Sequence, residues 1–251
     1  MKKIPIIGLM SGTSIDGIDV SFVYSDGVKL ERTNLNALAP YQKKTIDLLE
    51  KSFQNPLKFI QNKSQLSLLN KLVTSDHANA VTKFTNKYKL KPLLIGFHGQ
   101  TIIHEPKKFG SVQVGSGKEL SRILKNNIVC DFRQKDIKFG GEGAPLAPVY
   151  HRYIIEEQKL KLPSIIINIG GISNISYWDG NTLLGFDTGP GNNLMDFYMK
   201  TKFKTLFDHN GFLASKGQIK YNFVENYLIN SFFNTPPPKS LDRVDVFLPN
   251  I

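Results

Sequence analysis

Cysteine is nearly absent from this chain, whose 251 residues contain one, Cys130. A single cysteine cannot form an internal disulfide, which excludes a disulfide-stabilised secreted domain and favours a reducing compartment. The chain also lacks any apolar run near the ~20 residues of a membrane span. The short apolar start, residues 4–10, runs into a polar segment without a small-residue cleavage site. The sequence therefore predicts a cytoplasmic protein that does not enter a membrane.

Arginine is also scarce, since 27 of the 32 basic residues are lysine. The net charge is +11, but the lysines are spread along the chain in singles and pairs. A protein that binds nucleic-acid backbones usually carries a dense basic stripe, so nucleic acid is not an expected partner. The charge is compatible with anionic substrates. A composition of 41% hydrophobic and 21% charged residues is typical of a globular protein.

The first part of the chain alternates between strand and helix patterns. Apolar residues at helical spacing, broken by Pro56, predict helices between residues 41 and 88, and a further helix is predicted over 118–125. Glycine-bearing turns separate segments with strand character. The predicted strands cover residues 4–10, 18–24, 28–38, 93–97, 111–114 and 128–132.

A second strand–turn–strand–turn–strand pattern follows residue 163, with strands predicted over 164–169, 172–178 and 182–186. Two similar openings predict an α/β protein with two related domains, each starting with a three-stranded meander. The polar stretch between them places the boundary within residues 150–163. The last helical stretch ends at residues 235–239, so the second domain is expected to be incomplete.

Two glycine-bearing turns carry groups that suit a phosphate ligand. The turn over residues 12–19 combines backbone amides, two hydroxyls and two carboxylates, which can bind polyphosphate oxygens and order Mg²⁺. Taken alone, the segment is better explained as an ordinary hairpin in which Ser and Asp satisfy turn geometry. The segment 168–174 has the same form in the second pattern. Two such turns in related domains are expected to face each other across a nucleotide cleft.

Three further polar segments carry candidate chemistry. Asp187 lies where a predicted strand ends, followed by glycines, and could act as a general base or simply cap the next helix. Arg133 suits bidentate binding of a substrate carboxylate. His98 and His104 are six residues apart in a glycine-containing segment, a spacing that does not favour a metal site.

Together these segments resemble the anhydro-N-acetylmuramic acid kinases of bacteria. The resemblance rests on the opening Gly8–Asp19 segment GLMSGTSIDGID, on HGQT at 98–101 and on DFR at 131–133. It also includes residues 140–148, 168–174 and 185–196, so that it covers roughly residues 4–240. The resemblance implies the fold of sugar kinases, actin and heat-shock ATPases, which consists of two ribonuclease-H-like domains, here over residues 1–155 and 163–251.

The same resemblance implies a double reaction in cell-wall recycling. Water opens the 1,6-anhydro bridge of 1,6-anhydro-N-acetylmuramate, and ATP, with Mg²⁺, phosphorylates O6 to give N-acetylmuramate 6-phosphate. It implies Asp187 as the base, Asp16 as a Mg²⁺ ligand, and Arg133 with His98, Gln100 and Thr101 around the sugar. The implied ATP-binding residues are Gly12, Thr13, Ser14, Ile15, Asp16, Gly17, Ile18 and Asp19 in the first loop, and Asn168, Gly170, Gly171 and Asn174 in the second.

The chain departs from the family pattern at Glu142, where family members usually carry Gln, and at its C-terminal end. The resemblance fades around residues 239–243, and residues 244–251 read as an unrelated tail. The alternative interpretation is thus a truncated, non-catalytic remnant or sugar-binding module that needs a second, separately encoded C-terminal half. Uncovered apolar strands in such a chain predict weak ATP binding, poor solubility and pairing with another chain, as in a homodimer.

Overall fold

The structure, a computed structural model, describes residues 2–106 and 108–241, which form an α/β fold. The chain divides into two compact units between Gly141 and Glu142. Within the described ranges, no helix combines the length and the apolar character that crossing a membrane requires. The expectation of an unrelated tail over 244–251 falls outside the described residues.

The first unit contains a mixed six-stranded sheet. Strands β1 to β3 form the expected antiparallel meander, and β4 and β6 run parallel to β1 in the order β3-β2-β1-β4-β6. The distal part of β4 forms a hairpin with β5. The strands are β1 Ile4–Ser11, β2 Ile18–Ser25, β3 Leu30–Ala39, β4 Leu94–Glu105, β5 Gly110–Val114 and β6 Asn127–Val129.

Three helices of this unit begin at a residue whose side chain caps them. The side chains of Asn55, Asn62 and Ser116 accept hydrogen bonds from the first turns of α2, α3 and α4. Buried residues alternate along β1 and β2 and pack against α3, which forms the core of the unit. The helices are α1 Lys43–Gln54, α2 Pro56–Gln61, α3 Lys63–Tyr88, α4 Gly117–Leu124 and α5 Gln134–Lys138.

The second unit contains a three-stranded antiparallel sheet, the second expected meander. Its strands are β7 Ser164–Ile169, β8 Ile172–Trp178 and β9 Leu183–Pro190. Helix α6, Pro148–Glu157, packs on β8 and β9, so the units divide before residue 142, whereas the predicted boundary lies at 150–163. After β9 follow α7 Asn193–Tyr198, a π-helical turn Met199–Phe203, two 3₁₀ turns, α8 Tyr221–Leu228 and α9 Ser231–Asn234.

Three strand boundaries differ from the predicted ones and change the position of candidate residues. β4 continues to Glu105 because its second half pairs with β5, so His98 lies within a strand. β9 continues to Pro190 along β8, so Asp187 also lies within a strand and not at its end. β6 ends at Val129, before Asp131 turns into the left-handed region at φ 60°.

Candidate active site

The loop after β1 has a fixed carbonyl at its start and exposed hydroxyl groups beyond it. The Gly12 carbonyl accepts hydrogen bonds from the Ile15 backbone N–H at 3.3 Å and from Gln100 Nε2 at 3.0 Å. Thr13 and Ser14 are exposed. Gly17 has φ 153°, and a Cβ there would lie 2.8 Å from the Ala39 carbonyl oxygen. The loop therefore requires glycine at position 17 and presents polar groups to a ligand.

Two carboxylates lie near the end of this loop, those of Asp16 and of Asp19, the second residue of β2. The Ser14 hydroxyl donates to Asp16 Oδ1 at 2.9 Å. Partial burial and the nearby charge of Asp16 raise the pKa of Asp19. No cluster of three or more His, Cys, Asp or Glu side chains suited to a metal occurs in the part of the chain that the structure describes. Two carboxylates alone do fit Mg²⁺, which usually takes one or two carboxylates together with substrate phosphates and water.

The buried side chain of His98 forms a pair with the half-buried Arg133. Arg133 follows β6 and its Nε donates to His98 Nε2 at 3.0 Å, while His98 Nδ1 lies 2.8 Å from the Gly99 carbonyl. Burial and the charge of Arg133 lower the pKa of His98 to about 4. The ring is therefore neutral at pH 7, with Nδ1 as the donor and Nε2 as the acceptor that orients the guanidinium.

The loop and Arg133 both follow the carboxyl ends of parallel strands, β1 and β6, on either side of β4. This edge of a parallel sheet is where ligands of α/β proteins bind. The structure thus brings together, within one unit, a phosphate-type loop and an oriented arginine. Thr101 is half-buried on β4 and accepts a hydrogen bond from Gln113 Nε2 at 3.2 Å.

Gln100, which was expected to line a sugar pocket, is buried in this structure. Its side chain is fully buried and faces inward, where Oε1 accepts from the Tyr41 hydroxyl at 3.1 Å and Nε2 donates to the Gly12 carbonyl. A side chain held in this way has no surface to offer a substrate. Gln100 instead supports the loop after β1.

The second glycine turn packs closely against the corner between β9 and α7. The Gly170 carbonyl accepts from the Asn192 N–H and the Gly171 carbonyl from the Gly191 N–H, both at 2.9 Å. A Cβ on Gly191 would lie within 1.9 Å of the Gly170 carbonyl oxygen, so only glycine fits there. The turn between β7 and β8 and the β9–α7 corner consequently form one rigid feature.

Asp187 lies opposite Asn174 of this turn region on the neighbouring strand. It is buried to 9% exposure, and its carboxylate Oδ2 accepts from the Leu241 N–H at 2.9 Å. Its own N–H donates to the Lys239 carbonyl, also at 2.9 Å. The segment 239–241 therefore runs alongside β9 and fixes the orientation of the carboxylate.

The sequence did not indicate two supporting groups, Tyr41 and the backbone of 239–241. Tyr41 lies 59 residues from Gln100, and Leu241 lies 54 residues from Asp187. Contacts between residues so far apart in the sequence produce no periodic pattern in it. The motifs shared with the family identify the loops and the side chains within them. They do not identify the residues elsewhere in the chain that keep those loops and side chains in place.

Comparison with known proteins identifies the relatives of this chain. The family model for anhydro-N-acetylmuramic acid kinase matches residues 5–250, further than the expected 4–240, so the tail is not unrelated to the family. Anhydro-N-acetylmuramic acid kinases of Bradyrhizobium diazoefficiens and Rhodopseudomonas palustris are 38% and 41% identical over 246 and 249 residues. Each alignment covers 95% of this chain and 67% of the relative. The chain thus spans about two thirds of the length of these relatives.

Solved structures show only a distant likeness. An exopolyphosphatase-like protein superposes with a TM-score of 0.39 at 14% identity, covering 80% of this chain and 55% of that protein. The PPX-GPPA enzyme of Aquifex aeolicus gives a TM-score of 0.34 at 7% identity, covering 81% and 57%. Neither superposition carries an argument about the fold or the function of this chain.

Proposed function

Because the chain belongs to the anhydro-N-acetylmuramic acid kinase family, we propose that it takes part in the ATP-dependent conversion of 1,6-anhydro-N-acetylmuramate to N-acetylmuramate 6-phosphate. The observation that carries the proposal is the arrangement in the first unit, where the loop after β1 and the His98-oriented Arg133 share one sheet edge. One group suits a polyphosphate and the other a carboxylate. The product belongs to cell-wall recycling, and the reaction takes place in the cytoplasm.

In this proposal the loop over residues 12–19 binds the phosphates of ATP. Its backbone amides and the hydroxyls of Thr13 and Ser14 donate to phosphate oxygens, as phosphoryl transfer depends mainly on positioning and charge neutralisation. Asp16 and Asp19 hold Mg²⁺, which supplies neutralisation of the phosphate charge. Asn168, Gly170, Gly171 and Asn174 form a second loop for the nucleotide, in a second ribonuclease-H-like domain.

On the sugar, Arg133 binds the lactyl carboxylate through its terminal nitrogens, with Thr101 nearby. Bidentate pairing requires a fixed guanidinium plane, and His98 supplies this by accepting the Nε–H. The specificity for a carboxylated sugar therefore depends on the His98–Arg133 pair. Glucose and glycerol carry no carboxylate and leave this pair without its ligand.

Asp187 takes the proton of the attacking water. The water oxygen forms a bond to C1 while the C1–O6 bond breaks. O6 then forms a bond to the γ-phosphorus, the bond between the γ-phosphorus and the β–γ bridging oxygen breaks, and ADP leaves. The Leu241 N–H holds one oxygen of the carboxylate, which directs the group without protonating it. The second ring of the anhydro sugar is strained, so its opening helps to drive the reaction.

The test is turnover with ATP and the anhydro sugar, alongside glucose and glycerol at equal concentration. We expect phosphorylation of the anhydro sugar only. Asp187→Asn should lower turnover by about 10²–10⁴-fold and leave the sugar Kd nearly unchanged, because the amide keeps the shape of the side chain but cannot accept the proton. Comparable turnover of glucose, or a variant with a third of the normal turnover, contradicts the proposal. Sugar binding without any turnover supports the binding-module alternative.

A further inference from the structure

Gly12, the first residue of the phosphate-type loop, is attached to a buried polar network that the proposed reaction does not use. The Gly12 carbonyl accepts from Gln100 Nε2 at 3.0 Å, and Gln100 Oε1 accepts from the Tyr41 hydroxyl at 3.1 Å. Gln100 is 0% exposed and Tyr41 is 5% exposed. Because both side chains are buried, either of them would lose a hydrogen bond without gaining water in its place, which is where the cost is highest.

The residue before the loop is also held by a buried hydrogen bond. Ser11 is buried, and its hydroxyl donates to the carbonyl of Gly99, the neighbour of Gln100, at 3.1 Å. Burial raises the pKa of Tyr41, so the hydroxyl keeps its proton and remains a donor at neutral pH. Tyr41 is thus linked to the loop through Gln100, which binds the Gly12 carbonyl.

Tyr41 itself is held from the helical side of the unit. Its ring packs edge-on against His77 of α3, with the ring centroids 5.9 Å apart. The next residue, Gln42, donates its backbone N–H to Asp76 Oδ2 at 3.2 Å, and Thr45 donates its hydroxyl to the same oxygen at 2.6 Å. The hydroxyl of Tyr41 therefore projects from a rigid support toward the end of β1.

We propose that Tyr41 is a positioning residue for nucleotide binding, which acts through Gln100 to fix the Gly12 carbonyl and so orient the phosphate loop. The inference rests on the proposed function of that loop. Tyr41 is buried beneath the loop and touches no ligand. Groups behind a binding loop commonly control affinity in this way, because small displacements of donors weaken their bonds to the ligand.

The decisive variant is Tyr41→Phe, which removes the hydroxyl and keeps the ring on His77. We expect the Kd for MgATP, measured by calorimetry on the whole chain, to rise about tenfold, which corresponds to one buried hydrogen bond. The Kd for the anhydro sugar should stay within a factor of two, since the bonds from Arg133 to His98 and from His98 to Gly99 do not involve Tyr41. The matched control is Tyr88→Phe, which removes a tyrosine hydroxyl near the end of α3 in the same unit and leaves both constants unchanged.

Hydrogen exchange of the ligand-free chain separates this inference from the proposed function. In Tyr41→Phe, amides of residues 12–17 should exchange about tenfold faster, while those of α3 keep their rates. Gln100→Met should produce the same acceleration, and adding Tyr41→Phe to it should add little, as expected for residues acting in series. If the parent chain binds no ATP, the proposed function fails, and the exchange rates still decide whether Tyr41 holds the loop.

Unchanged exchange in the loop of Tyr41→Phe overturns the inference. The same holds if both Kd values rise equally, or if exchange accelerates throughout the unit, because either result indicates general loosening. A thermal midpoint within a few degrees of the parent chain, together with a selective loss of ATP affinity, supports positioning.

Discussion

Arg133 owes its orientation to a histidine that stays neutral. His98→Ala removes the acceptor of the Arg133 Nε–H, and we expect the KM for the anhydro sugar to rise roughly tenfold or more while the KM for ATP stays unchanged. Steady-state kinetics with each substrate varied in turn measure both constants. The control is His209→Ala, which changes an exposed histidine in the second unit. An unchanged sugar KM in His98→Ala would show that Arg133 needs no partner.

His77 makes stability depend on pH. The ring is 0% exposed, its Nδ1 lies 2.8 Å from the Val73 carbonyl, and burial lowers its pKa to about 4. Between pH 6.5, the usual pKa of histidine, and about 4, the unfolded chain binds a proton that the folded chain does not. The free energy of unfolding therefore falls as the pH falls through this range, and His98 acts in the same direction.

The contribution of His77 can be isolated with His77→Gln. We expect the parent chain to lose up to about 3 kcal/mol more than this variant between pH 7 and pH 4, since each pKa unit corresponds to about 1.4 kcal/mol. Urea unfolding at both values measures the difference, and carboxylates that titrate in the range affect both proteins alike. Equal losses would mean that His77 is protonated in the folded chain as readily as in the unfolded one.

At the level of elements, the sequence predicts the meanders well and the long strands poorly. The bounds of β7 and β8 are confirmed as predicted. The turn at Gly171 separates the two strands, and the turn at Gly180 follows the end of β8. β4 was predicted to end before His98, because the residues that follow, HGQT at 98–101, are polar and include a glycine. His98 and Gln100 are buried all the same, because partners remote in the sequence satisfy them.

The candidate site shows the same difference between features set by neighbouring residues and features set by remote ones. Motifs within one segment, such as the loop over 12–19, are visible in the sequence because their glycines and hydroxyls are contiguous. The inward orientation of Gln100 and the cover of Asp187 by residues 239–241 depend on tertiary packing. No local pattern of residues predicts which side of a strand such a side chain faces when both sides are polar.

The contact between the β7–β8 turn and the β9–α7 corner tolerates no side chain at Gly191. In Gly191→Ala the new Cβ would lie 1.9 Å from the Gly170 carbonyl oxygen, so the two segments must separate and lose the hydrogen bonds between them. We expect a destabilisation of about 2 kcal/mol or more, measured by urea unfolding. Gly217→Ala is the control, because its Cβ would make ordinary contact at 3.4 Å with the Ala214 carbonyl oxygen and its φ is −85°. Similar stability of the two variants would contradict the close packing.

For the whole molecule, the most consequential surface is an apolar face of the second unit. Ile165, Ile167 and Ile169 alternate along β7, so they share one face of the sheet, and they are 56%, 64% and 69% exposed. Among the described residues β7 pairs only with β8, which leaves its other edge without a neighbouring strand. An apolar face next to an open strand edge promotes association between chains.

We therefore expect the chain in isolation to self-associate, with an apparent mass by light scattering that rises with protein concentration. Ile167→Lys should lower that mass toward the 28.2 kDa of one chain, because a charge on the face opposes its burial against another apolar surface. Val28→Lys is the matched control. Val28 is 74% exposed in the β2–β3 turn of the first unit, where a single apolar side chain contributes little to association. A parent chain that stays monomeric at every concentration, or a Val28→Lys variant that dissociates as fully as Ile167→Lys, would show that the β7 face does not drive the contact.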